Sequence, residues 1–226
     1  MSGRAWLVVL VVVCMIGWWY SPVSPRRERG YERVDASTAH EGDSGSAASL
    51  IACQLPPRVG MYDPPLQTPA PGSLAPFRLR AATLTPLAGF SIDARVLSRR
   101  DYRSDREAEL SPTDLALGWG RMRDDAVVKR LDISQSARWY RYRYSGEPPI
   151  PQREIDRSAA NMHMIPGNAA IADALDDVEP GTRVRIDGWL VEANTPDGWR
   201  WRSSLSREDT GGGACELVYV CAITRL

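Results

Sequence analysis

The chain has 226 residues, enough for one domain or two small ones. Its 28 basic residues equal its 28 acidic residues in number, so no global positive field attracts nucleic acid or an acidic membrane surface. A hydrophobic content of 43% excludes a fully disordered chain, and a mean hydropathy of -0.32 excludes a polytopic membrane protein. Lys129 is the only lysine, so 27 of the 28 basic residues are arginines.

Residues 5–20 form an uncharged apolar segment that follows a short tail, residues 1–4. As a helix this segment is about 24 Å long, shorter than the roughly 30 Å hydrocarbon core of a bilayer. Trp18, Trp19 and Tyr20 stand where a cleavage site needs small residues, and aromatic side chains suit a membrane interface. The segment predicts an uncleaved transmembrane signal anchor, with a cleaved signal peptide as the alternative.

The charges beside this segment indicate two opposite orientations. Only Arg4 precedes it, whereas four arginines follow it closely, which by the positive-inside rule keeps the C-terminal part in the cytoplasm. A very short tail with one basic residue is nevertheless typical of an export signal. We expect a single-pass protein of the inner (cytoplasmic) membrane whose globular domain is periplasmic or otherwise extracytoplasmic.

Residues 21–76 contain nine of the 17 prolines and have little hydrophobic periodicity. Two Pro-Pro pairs among them favour extended polyproline geometry, so this stretch is predicted to be a disordered, semi-rigid linker. Beyond residue 76, short runs of alternating apolar and polar residues begin. Residues 77–226 are therefore predicted to form one β-rich globular domain.

The first half of this domain contains several short predicted elements. Phe90–Val96 alternates as a half-buried strand. The sequence Ser-Pro-Thr-Asp at 111–114 is typical of a helix start, and that short helix is expected to end at Gly118. Residues 124–131 suit one or two helical turns, and Trp139–Tyr144 alternates strictly, with tyrosines on one face.

The second half is predicted to contain one longer helix and three strands. The helix spans 168–178 and has apolar residues along one face. A strand over 183–193 bends at Gly188, and an Asp-Gly turn joins it to a strand over 199–205. A last strand is predicted over 215–223. About five strands with one or two inserted helices predict a mainly β (α+β) fold, a small curved β-barrel.

Two resemblances extend this prediction. The segment PGTRVRIDGWLVEA followed by a hairpin resembles OB-fold barrels, in which a strand of this kind bends at a glycine. The segments FSIDARVLSRRDYRSDREAELSPTDLALGWG, NMHMIP and WRWRSSLSREDTGGGACELVYV are similar to an uncharacterised family of membrane-associated bacterial proteins. The second resemblance covers nearly the whole region 77–220. It implies no activity and supplies no catalytic residues.

The four cysteines are Cys14, Cys53, Cys215 and Cys221. Cys14 lies in the apolar segment and is expected to be a passive packing residue. On one continuous strand Cys215 and Cys221 would be about 20 Å apart, too far to pair. In an oxidising compartment the feasible disulfide joins Cys53 to Cys215 or to Cys221, and the alternative is that the thiols stay buried and unpaired.

Met162-His163-Met164 contains soft ligands that suit monovalent copper. On a strand, however, alternation places His163 opposite the two methionines, so the three side chains converge only if the chain bends. The competing interpretation is a pair of core methionines beside a hydrogen-bonded histidine. No cofactor is expected.

A catalytic alternative is an envelope hydrolase with Cys215 as nucleophile, His163 as base and Asp209 as orienting carboxylate. The residue types suit these roles. No recognisable nucleophile signature surrounds Cys215, and nothing in the sequence brings the three residues together.

A ligand surface is a further candidate. Its residues are Trp139, Arg141, Arg143, Trp199 and Trp201. Alternating aromatic rings and guanidinium groups suit base stacking with phosphate pairing. Six basic and six acidic residues precede residue 77, which leaves 22 of each in the domain, so nucleic acid is not the expected partner. In the competing interpretation the tryptophans pack and the arginines pair with acids across strands.

These observations favour a membrane-anchored envelope protein whose domain is a non-catalytic binding or assembly module. The expected contacts are the membrane, through residues 5–20, and an envelope protein partner. The hydrolase and the copper site remain alternatives.

Overall fold

The computed structural model describes residues 14–15, 30–34, 53–206 and 214–226. Of the predicted transmembrane segment 5–20, only Cys14 and Met15 are among them, and both are helical and exposed. Within these ranges no helix is long and apolar enough to cross a membrane. The predicted anchor therefore lies almost entirely outside the described residues.

The described residues form ten strands and three short α-helices, which makes the fold mainly β, as predicted. The strands are β1 Leu66–Pro69, β2 Phe77–Arg78, β3 Thr83–Asp101, β4 Thr113–Gly118, β5 Asp132–Ser136, β6 Trp139–Arg143, β7 Ala159–Pro166, β8 Arg183–Asn194, β9 Arg200–Arg202 and β10 Glu216–Arg225. The helices are α1 Asp125–Val128, α2 Gln152–Arg157 and α3 Ala169–Asp176. Two 3₁₀ turns lie at Glu107–Glu109 and Gly120–Arg123.

Five of the strands close a ring in the order β3, β4, β7, β10, β8 and back to β3. Neighbours in the ring are antiparallel except β7 and β10, which are parallel. With 19 residues, β3 is long enough to pair with β8 along its first part and with β4 along its last part. Helix α3 connects β7 to β8, and the β5–β6 hairpin and α2 are inserted between β4 and β7. Strand β9 extends the ring at the edge of β8.

Alternation along the ring strands separates an inner from an outer face. Phe90, Ile92 and Val96 of β3 pack inside the ring against Met162 and Met164 of β7. The outer faces are also largely buried, because two further apolar clusters lie outside the ring. The strand predicted at 90–96 is therefore present, but it is buried on both faces and not half-buried.

Five further predicted elements are present, although their bounds differ from those predicted. The helices expected within 124–131 and 168–178 are α1 and α3, and the Asn168 side chain caps α3 by accepting a hydrogen bond from the Ile171 N–H at 2.9 Å. The strands expected over 183–193, 199–205 and 215–223 are β8, β9 and β10. Gly188 lies where the pairing of β8 with β10 shifts register, and a Cβ there would collide with the carbonyl oxygen of Tyr219.

The helix predicted to start at 111–114 and to end at Gly118 is instead strand β4, and all six of its residues are buried. Leu115 and Leu117 face the ring interior, whereas Asp114 faces outward. The Ser-Pro-Thr-Asp pattern suits a helix cap, but this six-residue segment completes the ring between β3 and β7. Tertiary pairing overrides the local preference.

Much of the described part of the predicted linker, residues 21–76, belongs to the folded domain. Tyr31 and Val59 are buried, and Arg33 forms an isolated antiparallel bridge with Leu79. Strand β1 pairs antiparallel with β3. The prolines do favour extended chain, but an extended chain can also pair with the edge of a sheet. The predicted boundary at residue 77 is corrected in these places.

Candidate functional site

A buried polar cluster on the outer face of the ring is organised by Asp114. Its carboxylate contacts Nδ1 of His163 at 2.9 Å, Nη1 of Arg138 at 2.9 Å and Nδ2 of Asn161 at 3.2 Å. The antiparallel pairing of β4 with β7 places Asp114 directly beside His163. The Asp114 side chain has no exposed surface. Asp105, Asp114, Arg138, Asn161 and His163 are called the Asp114 cluster below.

Arg138 enters this cluster from the tip of the β5–β6 hairpin. Its Nη2 and Nε contact the two carboxylate oxygens of Asp105 at 2.7 and 3.2 Å, while Nη1 contacts Asp114. The guanidinium carbon lies 4.1 Å from the ring centroid of Tyr102. Two-point pairing and stacking together fix the plane of the guanidinium. A single side chain thus ties the hairpin to β4 and to the loop that follows β3.

The backbone of this hairpin tip is unusual. Ala137 and Arg138 have φ angles of 49° and 63°, and they form the two-residue turn between the paired residues Ser136 and Trp139. Such turns prefer Asn-Gly, because both positions are left-handed. A left-handed backbone costs an ordinary residue about 1–2 kcal/mol. The contacts of Arg138 offset this cost.

Two neighbours, Asp114 and Trp201, fix the imidazole of His163. Nδ1 of the ring lies 2.9 Å from Oδ1 of Asp114, within hydrogen-bond distance. The ring of Trp201 packs against the imidazole with 4.7 Å between centroids. Only 5% of the His163 side chain is exposed. This geometry orients the imidazole but leaves little of it accessible to a substrate.

The Met162-His163-Met164 triplet does not converge. Both methionines lie in the core inside the ring, and His163 contacts Asp114 and Trp201 on the outside. Among the residues that the structure describes, no group of three or more His, Cys, Asp or Glu side chains is arranged to hold a metal ion. The arrangement corresponds to the competing interpretation, core methionines beside a hydrogen-bonded histidine.

The proposed hydrolase residues are only partly placed. Asp209 lies outside the described residues, and the carboxylate that orients His163 is Asp114. Cys215 Sγ lies 3.9 Å from the carbonyl oxygen of Arg138, at the edge of the Asp114 cluster. Sequence reasoning missed Asp114 because residues 111–114 were assigned to a helix start.

The residues of the predicted ligand surface are divided between two elements. Trp139, Arg141 and Arg143 occupy the exposed face of β6, and the tyrosines of that strand face the body of the domain, as the alternation predicted. Trp199 directly precedes β9 and Trp201 lies within it, and their half-buried rings are neighbours, 5.7 Å apart. Trp201 is turned toward His163 and contributes packing.

Arginines outside the predicted ligand surface also pair with acids of the domain. Asp93 of β3 is fully buried and lies 3.1 to 3.5 Å from three guanidinium groups, those of Arg123, Arg183 and Arg185. Arg95 of β3 pairs in a similar way with Asp125, the first residue of α1. These arginines neutralise acids of the same domain.

A second ion group fastens β9 to β8. Glu192 contacts Arg200 Nη2 at 2.6 Å and Arg202 Nη1 at 2.5 Å. The hydrogen bond from Arg200, reinforced by Arg202, lowers the pKa of Glu192 to about 2, against the opposing effect of burial. The carboxylate therefore stays charged at pH values well below its usual range, and it holds the strand that carries Trp201.

Two cavities border the loop between β3 and β4. The larger, of about 710 Å³, lies between this loop, α3 and the segment at Gly30–Tyr31. The smaller, of about 350 Å³, lies between the same loop and the turn that carries Asp197 and Trp199. Glu109 lines both cavities. The larger volume falls in the range of small-ligand sites.

Comparisons with models of protein families, with curated proteins and with solved structures found no match to this chain. The similarity to an uncharacterised membrane-associated family therefore stays a prediction.

Proposed function

We propose that the protein is a membrane-anchored envelope protein whose domain is an OB-fold binding module without catalytic activity. The proposed ligand is a segment of another envelope protein, bound in the larger cavity. The observation that carries the proposal is the position of this cavity, along the loop that joins the first two strands of the ring.

The ring order supports the OB fold. In chain order the five ring strands are β3, β4, β7, β8 and β10. Around the ring they occur in the order first, second, third, fifth and fourth, and the fourth pairs with the first to close the ring. The third and fifth strands are parallel, and a helix connects the third to the fourth, as in OB folds. OB folds bind ligands at the second and third strands and at the loops after the first and fourth. Both cavities border the first of those loops.

The lining of the larger cavity suits a peptide better than a nucleic acid. Three arginines and four carboxylates line it: Arg80, Arg99, Arg103, Asp101, Asp105, Glu109 and Asp176. Arg99 already pairs with Asp101 at 2.9 Å and with Asp176 at 3.1 Å. A surface with both signs of charge matches a segment that carries both signs, and it gives no net attraction for a phosphate backbone.

The Asp114 cluster favours a non-catalytic role. Asp114 already contacts three side chains, and the imidazole that a hydrolase needs as a base packs against Trp201. A general base must come within hydrogen-bond reach of the substrate proton. The cluster is better explained as the contact that closes the hairpin onto β4 and β7.

Site-specific photo-crosslinking in the native cell tests the binding site. A photoreactive residue is placed at Ser104, which is exposed and lines the larger cavity, and as a matched control at Ser134, an exposed serine on the hairpin. We expect a discrete protease-sensitive adduct from position 104 and none from position 134. An adduct from 134 alone, or from neither position, contradicts the proposal.

A reporter fused after Leu226 tests the proposed topology. The support is the uncharged apolar segment 5–20, which directly follows Arg4. We expect alkaline phosphatase, which is active only outside the cytoplasm, to be active in the fusion. Activity only from a cytoplasmic reporter overturns the localisation.

A further inference from the structure

Two cysteines that are far apart in the sequence meet at the surface of β10. The sulfur atoms of Cys53 and Cys221 lie 2.8 Å apart, although 168 residues separate them in the chain. Cys221 stands at the register shift of β10, between Val220 and Ala222. The site therefore joins the N-terminal segment directly to the last strand of the ring.

The chain that follows Cys53 is fixed independently of the sulfur contact. Val59 is buried and its N–H donates to Ser91 Oγ at 2.9 Å. The Arg58 guanidinium lies 3.5 Å from the carboxylate of Asp187. These contacts hold the segment 53–59 on the outer face of β3 and β8. They therefore place the Cys53 sulfur beside Cys221 independently of any bond between the two sulfurs.

A glycine makes room for the pair. The N–H of Gly167, directly after β7, donates to the carbonyl oxygen of Val220 at 3.0 Å. A Cβ at Gly167 would lie 2.5 Å from that oxygen and 3.3 Å from the Cys53 sulfur. The absence of a side chain at this position allows Cys53 to approach β10.

We propose that Cys53 and Cys221 form a disulfide that staples the N-terminal segment to β10, and that a disulfide-bearing oxidant of the envelope installs it. The Cys53 thiolate attacks the oxidant's disulfide, which forms a mixed disulfide and releases one thiolate. Cys221 then loses its proton and attacks the Cys53 sulfur, which expels the second thiolate. Two thiols are oxidised, the oxidant's disulfide is reduced to two thiols, and two protons are exchanged with solvent.

The surroundings of the two cysteines determine which one attacks the oxidant and which one resolves the mixed disulfide. A hydrogen bond from the Cys221 thiol, with help from Tyr219 and the positive charge of Arg33, lowers the pKa of Cys53 to about 7 against the opposing effect of burial. The same contact and burial raise the pKa of Cys221. Cys53 is thus the attacking thiolate, since a thiol with a pKa near the ambient pH is the most effective nucleophile in exchange.

The position of Cys215 excludes it as the partner. It precedes β10, and its sulfur lies against the carbonyl oxygen of Arg138 in the Asp114 cluster. Six residues of extended chain separate it from Cys221, about 20 Å. Of the two disulfides that the sequence left open, only Cys53–Cys221 matches the structure. Cys215 therefore provides a matched control.

The test uses the full-length chain in detergent, reduced and then treated with oxidised glutathione, without any binding partner. Non-reducing digestion and mass spectrometry are expected to identify a peptide pair linked through Cys53 and Cys221 in the wild type and in Cys215→Ser. The linked pair is expected to be absent from Cys53→Ser and Cys221→Ser. Alkylation of both Cys53 and Cys221 after oxidation, a stable glutathione adduct on Cys53, or a link to Cys215 each overturns the proposal.

Thermal unfolding provides a second readout. A disulfide that closes a long loop is expected to raise Tm by about 5 °C or more. Reductant should therefore lower the Tm of the oxidised wild type and of Cys215→Ser, and leave that of Cys53→Ser unchanged. An equal response of Cys53→Ser and the wild type contradicts the staple. These outcomes do not depend on the crosslinking result, so this proposal and the proposed function can fail separately.

Discussion

Arg138 Nη1 lies 2.9 Å from Asp114 Oδ1, and this contact joins the tip of an inserted hairpin to a ring strand 24 residues earlier in the chain. Both side chains are buried, Asp114 completely and Arg138 with 11% exposed. A buried ion pair stabilises a fold only while both partners are present, because removing one leaves an uncompensated charge. Arg138 is therefore predicted to be the most sensitive residue of the hairpin.

Arg138→Met removes the guanidinium and keeps most of the apolar stem. We expect a loss of about 3 kcal/mol in the free energy of unfolding, measured with urea, because Asp114 and Asp105 lose their cation. Arg141→Met is the matched control, since Arg141 is exposed on the same hairpin, and it should change stability by about 0.5 kcal/mol or less. Equal losses in the two variants contradict a special role for Arg138.

Ala137→Asn tests the strained turn. Asparagine tolerates the left-handed backbone that Ala137 adopts, with φ 49°. We expect the variant to be more stable by about 0.5–1 kcal/mol, seen as a Tm higher by about 2 °C. Ala137→Val should do the opposite, because a β-branched residue fits this conformation poorly. A stabilising valine shows that the turn is not left-handed in solution.

Glu192→Gln tests the ion group that holds β9. The pKa of Glu192 is lowered from 4.5 to about 2 in the folded protein, so its contribution is complete above pH 4.5 and is lost as the pH falls toward 2. Because Arg200 and Arg202 are exposed, we expect a cost of about 1 kcal/mol at pH 7. Urea unfolding of both chains should show this difference shrinking in acid.

Glu179→Gln is the control for this pH dependence, because Glu179 is exposed on the loop after α3. Its unfolding free energy should follow that of the wild type at every pH. A difference between Glu192→Gln and the wild type that persists unchanged at pH 2 argues against the ion group as its cause.

The strands that contain residues 90–96 and 139–144 were predictable because their residues alternate between two chemical kinds. Phe90–Val96 and Trp139–Tyr144 each present one kind of residue to each face, and the structure uses both patterns. The helix predicted at 111–118 was wrong because long-range pairing decides the conformation of this segment. A Ser-Pro-Thr-Asp cap pattern is local information, whereas strand β4 exists because β3 and β7 lie on either side of it.

The candidate site was less predictable than the fold. Asp114, Arg138 and Asn161 come from three separate elements, and no spacing in the sequence indicates that they meet. The hairpin tip carries Ala-Arg, so the usual Asn-Gly signal of a two-residue turn is missing. The Pro-rich segment before residue 77 has the composition of a linker. Part of it nevertheless pairs with the edge of β3, and this contact is not visible in the local sequence.

The binding of a partner segment in the larger cavity is tested most directly by blocking the cavity while crosslinking is measured. A photoreactive residue at Ala108, which lines this cavity, is combined with Ser104→Trp, which fills it, or with Ser134→Trp on the hairpin. Our account predicts that the adduct disappears with Ser104→Trp and persists with Ser134→Trp. An adduct unaffected by Ser104→Trp, or one lost only with Ser134→Trp, contradicts it.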